Sequence, residues 1–477
     1  MKFFIYITCF LSLISIILNS KDNKKLHKLE ESENVKYLEY SFKRNLTLDK
    51  NMKPIDFFKT YFYNQLYINI KVGSNKKEIP FYFFLQQFPL VLQSSNVDKY
   101  EVKGKYDELK SNKYEAIGKI ETFENGDLTE GILSKDIFHF NNGKSYIKFY
   151  LSKKNYGDAH ITEGGKIGFM PYPQYLENET SSFITNLKEN NLISYKTFFF
   201  KYDSEKLNED SGKLYIGAPP HLFKKNQYSS EYYLKGYTEQ GYEGFGWIYL
   251  IDEIKIGNNE AYERAKKAYF YSELGFIIGS DNFFQALNKS KIWIEYFNIT
   301  KKCHKQNFNI EGFESNDINY RFYYAFTGYY CDKDVNITEL DIGEISFVKK
   351  QIDYIFNISI NDLWIEKDNY KYFMILQSPS DENIWFFGKP FFKKYQMVFD
   401  SDNKVIGFYT NITSIKDKSK NKHVLVYILV IIGLVIIIIG LVLLLIKCYN
   451  LLPRLKRANE LTDDNFDYSS PENDDIN

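Results

Sequence analysis

Three observations predict an all-β protein in two lobes with one transmembrane helix near its C-terminal end. Tyr and Phe number 41 each in 477 residues, and 18% of the chain is aromatic; flat, β-favouring side chains in that quantity suit pleated strands better than a helical bundle. From Tyr61 onward, short apolar or aromatic runs are broken by Gly, Asn, Asp and Pro, the pattern of strands and turns. The body between the two apolar ends of the chain spans about 360 residues, more than one β core holds, and so predicts two lobes.

The elements follow in order. Residues 1–20 carry one early lysine, Lys2, then an apolar stretch to Leu18 and an abrupt polar run from Lys21, the shape of a signal peptide. Residues 21–60 form a polar lead, propeptide-like or a flexible arm, expected to lie outside the core because Lys21–Lys36 has few apolar groups. Residues 61–195 make the N-terminal lobe, with strands at Leu66–Val72 before the turn Gly73-Ser74-Asn75, at Ile79–Leu85, and at Ser145–Tyr150 after Asn142-Gly143. Residues 196–415 make the C-terminal lobe; within it only Asn259–Ala268 and Asn282–Leu287 read as helical.

Val424–Ile446 is 23 residues without a charge, long enough at 1.5 Å per residue to cross roughly 30 Å of hydrocarbon. Lysines flank it on both sides, so loop charge does not orient it, and the signal peptide decides the topology. The expectation is a single-pass type I membrane protein, its lobes extracellular or in the lumen of the secretory or endolysosomal pathway and residues 447–477 a cytosolic tail.

Lys plus Arg and Asp plus Glu are 61 each, so the net charge is zero, which excludes an electrostatic nucleic-acid binder. Once the signal and the membrane-proximal Cys448 are set aside, two cysteines remain, Cys303 and Cys331, about 28 residues apart; in an oxidising compartment they predict one disulfide. Asn-x-Ser/Thr sites at Asn45, Asn178, Asn288, Asn298, Asn336, Asn357 and Asn411 are glycosylation candidates. The six histidines show no metal-ligand spacing, and no nucleophile elbow or phosphate loop is present, so no metal or cofactor is expected.

The order of segments resembles the pepsin-type aspartic protease family over about residues 61–410. LYINIKVG at Leu66–Gly73 is similar to that family's opening strand and turn, and FYFFLQQFPLVL at Phe81–Leu92 to the strand and loop that carry its first Asp-Thr-Gly. FENGDLTEGILSKD at Phe123–Asp136 resembles the flap hairpin, with Phe123 where a tyrosine is usual, and GGKIGF at Gly164–Phe169 resembles the Asp-Gly-Ile-Leu-Gly-Leu segment. In the second half, SGKLYIG at Ser211–Gly217, WIYLIDEIKIG at Trp247–Gly257 and KAYFYSELGFIIGS at Lys267–Ser280 follow the same script. Cys303 and Cys331 match the family's C-lobe disulfide, and IWFFGKPFFKKYQMVFDSDNKVIGFY at Ile384–Tyr409 matches its ending. The resemblance implies a bilobal acid-protease fold with a peptide cleft between the lobes.

It also implies a pair of carboxylates, one per lobe, that share a proton. At the matching positions this chain has Gln86 and Tyr271. Gln has no proton to exchange, and a phenol near pKa 10 is no general base in the useful range. The Gly of each motif is replaced too, by Phe88 and Glu273, and neither Glu273 nor Asp98 sits in a tight glycine turn that would present it as a substitute. The expectation is therefore a pseudo-protease: no catalytic residues, with a binding or scaffolding role and a peptide or protein ligand in the cleft, which Phe123 would line. The alternative is a membrane-anchored aspartic-type endopeptidase.

Overall fold

The computed structural model describes residues 35–410 apart from 45, 47, 86–89, 96–104, 125–127, 153–163, 171–181, 239–245, 258–262, 311–324, 341–342 and 379–383, together with 439–447 and 449. Two units are distinguished, Met1–Tyr409 and Thr410–Asn477.

Strict alternation builds the first unit. In Leu66–Val72, Leu66, Ile68, Ile70 and Val72 are buried while Asn69 and Lys71 face out, the signature of a strand with one face on a core. The strands in chain order are β1 (Leu38–Arg44), β2 (Leu66–Val72), β3 (Lys77–Phe84), β4 (Val91–Gln93), β5 (Glu115–Glu124), β6 (Leu128–Phe140), β7 (Gly143–Ser152), β8 (Gly165–Gly168), β9 (Thr197–Tyr202), β10 (Gly212–Ile216), β11 (Tyr233–Tyr237) and β12 (Ile248–Ile256). The remainder are β13 (Glu263–Phe270), β14 (Ile277–Gly279), β15 (Cys303–Asn309), β16 (Ala325–Asp332), β17 (Glu344–Lys349), β18 (Tyr354–Ser359), β19 (Trp364–Lys367), β20 (Tyr370–Phe373), β21 (Ile375–Gln377), β22 (Ile384–Phe387), β23 (Met397–Asp400) and β24 (Val405–Tyr409).

Among the described residues they form a 13-stranded sheet, ordered β11-β24-β23-β9-β10-β1-β2-β3-β8-β4-β7-β6-β5, and an 11-stranded sheet, ordered β18-β17-β12-β13-β22-β14-β21-β16-β20-β19 with β15 on β16. Both are mixed, giving a bilobal β fold consistent with the pepsin-like architecture. β1 is an interior strand: Leu38–Phe42 pair with β10 and Lys43–Arg44 with β2, so the lead segment joins the N-terminal lobe to strands from the rest of the chain.

Each lobe repeats one local pattern. β3 runs parallel to β8, crosses a loop, and returns as β4, antiparallel to β8 and parallel to β7. β13 runs parallel to β22, crosses a loop, and returns as β14, antiparallel to β22 and parallel to β21.

Three expectations change. Residues 263–270 are a strand, because the helix-favouring ERAKKAYF buries Ala268 and Phe270 on one face while pairing with β12 and β22. The described part of the lead does not lie outside the core: β1 buries Leu38, Tyr40 and Phe42, and helix α1 (Pro54–Phe62) buries Phe57, Phe58, Tyr61 and Phe62. That i, i+1, i+4, i+5 spacing with Pro at the first turn is a helix signal.

The third is the transmembrane helix, which is not found. No helix among the described residues is long and apolar enough to cross a membrane. Of the apolar stretch 424–446, residues 439–446 are described, within a nine-residue helix at 439–447; nine residues rise about 13 Å, short of the roughly 30 Å hydrocarbon core. Residues 424–438, the signal segment 1–20 and most of the tail 447–477 lie outside the described residues. The single-pass type I topology, the membrane as a partner and the localisation built on them are accordingly withdrawn.

Candidate functional site

The two equivalent loops, after β3 and after β13, define the site. Tyr82 and Val91 both pair with Lys166 of β8, and Tyr269 and Ile278 both pair with Phe386 of β22. The spacing across the loop is the same in both lobes, so residues correspond one to one: Tyr271 to Phe84, Ser272 to Leu85 and Glu273 to Gln86. Phe84 is buried with the Lys166 ammonium over its ring. Gln86 and Phe88 lie outside the described residues.

Tyr271 is half-buried; its backbone N–H donates to Phe387 O (3.0 Å) and its ring meets Phe386 edge-on. Ser272 is buried. Glu273 reaches across the lobes: its Oε2 accepts from the Leu85 backbone N–H (3.5 Å) and from Ser272 Oγ (3.2 Å). Burial pushes the Glu273 carboxyl up to about 7, and those hydrogen bonds offset only part of the effect.

The end of α1 and the turn after it close the C-terminal loop from the other side. Asn64, 1% exposed, donates from its backbone N–H to Glu273 O (2.5 Å) and from Nδ2 to Ser272 O (2.8 Å) and Tyr202 Oη (3.4 Å). Gly275 N–H donates to Phe62 O (2.7 Å). A Cβ at Gly275 would stand 1.9 Å from Tyr61 O, and one at Gly328 would stand 2.5 Å from the Phe58 ring, so the helix backbone and its aromatics fit only because both positions are glycine. Phe57, Phe58, Tyr61 and Phe62 share one buried cluster with Leu274, Phe276, Phe308, Phe326 and Tyr372.

A buried charge cluster fixes the entry to this helix. The Arg44 guanidinium pairs with Asp210 (3.2 Å) and donates to Tyr61 O (3.2 Å) and Tyr63 O (2.8 Å). Lys389, wholly buried on helix α2 (Lys389–Lys394), pairs with the same Asp210 and donates to Tyr61 Oη (2.6 Å). Burial, and then the Arg44 charge, hold the Lys389 ammonium well below its ordinary pKa.

The remaining expected residues are dispersed. Phe123 stands near the end of β5, its Cα opposite Thr129 in the β5–β6 hairpin, and its side chain lies outside the described residues. Cys303 and Cys331 form the expected disulfide, as directly opposed residues of β15 and β16. Asn298, Asn336 and Asn357 are exposed and Asn288 is half-buried, while Asn45, Asn178 and Asn411 lie outside the described residues. Among the described residues no group of three or more His, Cys, Asp and Glu is placed to hold a metal. Sequence reasoning missed Asn64, Arg44, Asp210 and Lys389, whose roles depend on contacts between segments far apart in the chain.

These two loops on paired mixed sheets define a protein built as an aspartic-protease scaffold. The profile of the eukaryotic aspartyl protease family matches residues 65–411, and the chain belongs to that family. No curated protein matches it.

Proposed function

We propose that this family member does not cleave peptide bonds and that its lobes serve binding or scaffolding. The observation that carries the reading is the chemistry of the paired loops. A shared-proton mechanism needs two carboxylates facing each other, one per lobe. Tyr271 holds the second family position, and at the first, Phe84 by strand register and Gln86 by motif are both incapable of ionising as acids. Glu273 is one carboxylate, and the neighbour it meets across the lobes is a backbone amide. The turn after α1 supports the same reading, since Asn64 takes up the backbone carbonyls of Ser272 and Glu273.

Hydrolysis of an unfolded protein by the purified full chain, after incubation at about pH 3–5 with and without pepstatin, tests it. No cleavage above a buffer control is expected, and pepstatin-sensitive fragments would overturn the proposal. The endopeptidase reading rests on a specific observation, the raised pKa of Glu273 at the lobe junction, and predicts that Glu273→Gln abolishes such cleavage.

A further inference from the structure

We propose that the fork where β1 and β2 part is a binding site for a small, hydroxyl-rich molecule that carries an oxyanion, a sugar phosphate or a sugar acid. The site shares no residue with the paired loops, so the inference stands apart from whether the chain cleaves peptides.

The fork follows from strand register. β1 and β2 pair at Lys43 with Tyr67 and at Arg44 with Leu66. Continued by two residues, the same register would bring Ser41 opposite Asn69. Instead β1 stays with β10 through Leu38–Phe42, while β2 goes on to β6, which it meets at Lys71 and Val72. Paired strands lie about 4.8 Å apart; where these two separate they leave a cavity of about 480 Å³, a volume suited to a small molecule. Ser41 lines one arm of the fork and Asn69 the other. Asn141, in the turn between β6 and β7, adds a third wall and is tied to β1 by its Nδ2 donating to Glu39 O (3.1 Å).

The charges around the cavity do not cancel. Lys213 of β10 stands opposite Ser41, and Lys43 is two residues further along the same face of β1. The two lysines are therefore diagonal neighbours about 7–8 Å apart, a span that two flexible four-carbon stems can close on one anion. Glu39, the carboxylate that lines the cavity, is already shared between Lys213 and Lys224 (3.7 Å). Lys43 is exposed and has no ion-pair or hydrogen-bond partner among the described residues. One carboxylate among three ammonium groups leaves a positive site, complementary to an oxyanion.

The remaining walls are neutral and polar. The Ser41 and Tyr67 hydroxyls and the Asn69 amide make no hydrogen bond among the described residues, and together they offer both donors and acceptors. Tyr67 is braced by the ring of Tyr82 (5.7 Å). Tyr40 also lines the cavity, and its buried hydroxyl has no partner. An apolar ligand would cover these groups without pairing them, whereas a hydroxyl-rich one takes them up.

The test is calorimetric titration of the full chain, at constant low ionic strength, with glucose 6-phosphate, glucuronate, glucose and inorganic phosphate. One molecule of a charged sugar is expected to bind per chain, with glucose and inorganic phosphate each about tenfold weaker or worse. Comparing the two charged sugars distinguishes phosphate from carboxylate. Lys43→Ala is expected to weaken binding of the preferred sugar about tenfold and Asn69→Ala about threefold. Both side chains are exposed, so both variants should keep the wild-type urea midpoint. No saturable binding of either charged sugar overturns the proposal, as does glucose or inorganic phosphate bound as tightly as the charged sugars. So does a Lys43→Ala protein with the wild-type urea midpoint and wild-type affinity. If one variant is destabilised, the affinity of the other decides.

Discussion

Replacing Phe58 with Ala tests whether the lead helix is part of the fold. The ring is wholly buried, 5.4 Å from Phe308, 5.5 Å from Tyr372, and 5.9 Å from both Phe57 and Phe276. Burying an aromatic removes about 150–250 Å² from water, which at about 25 cal/mol per Å² is roughly 4–6 kcal/mol as an upper bound. Phe→Ala substitutions in cores lose about 3–5 kcal/mol once partial relaxation is included. Relaxation is restricted here because the face opposite the ring is Gly328, which has no side chain to move in. A loss of about 4 kcal/mol is therefore expected, against a total stability of about 5–15 kcal/mol. Urea unfolding followed by fluorescence of Trp247, Trp293, Trp364 and Trp385 reads the loss as a midpoint lowered by on the order of 1 M with unchanged slope. A loss under about 1 kcal/mol would refute the reasoning and return α1 to the status of a peripheral arm.

Other consequences follow from the same contacts. Gly328→Ala drives a methyl into the Phe58 ring and is expected to cost about 1–3 kcal/mol by overpacking, read by the same unfolding curve. Asp210→Ala strands Arg44 and Lys389 in the interior; a loss of about 3–5 kcal/mol is expected, with new protease cleavage between β1 and α1, and a Lys389→Met second change should restore part of it. Reducing or replacing the Cys303–Cys331 bridge is expected to lower stability by about 3.6 kcal/mol, the loop-closure value for a separation of 28 residues. His221, desolvated and bonded to Tyr409 Oη (2.7 Å), is held down to about 4. The stability tied to its neutral form is present above the unfolded value near 6.5 and is lost as pH falls through about 4; its ring proton resonances should titrate at about 4 rather than near 6.5.

Much of the fold was legible because strand alternation is local. LYINIKV states its own buried face, and the segment order from residue 61 onward carried the family. ERAKKAYF at 263–270 misled because local helix propensity yields to pairing with β12 and β22. PIDFFKTYF follows a strongly polar stretch, but its aromatics already have helical spacing. The places of the two loops in the chain were legible from the segment order. The residues facing each other across the loops were not, because Glu273 against Leu85 and Arg44 against Asp210 are separated by 188 and 166 positions and no local pattern encodes such meetings. A 23-residue apolar run predicts a span from composition alone, and no helix of spanning length is found among the described residues.

The most direct measurement is peptide-bond hydrolysis by the acid-incubated full chain, quantified by mass spectrometry of fragments from an unfolded substrate between about pH 3 and 8, with pepstatin added in parallel. The proposed non-cleaving role predicts no fragments above the buffer control at any pH. Fragments that accumulate with turnover and disappear with pepstatin would contradict the account, because they require two acids acting together, one from each lobe.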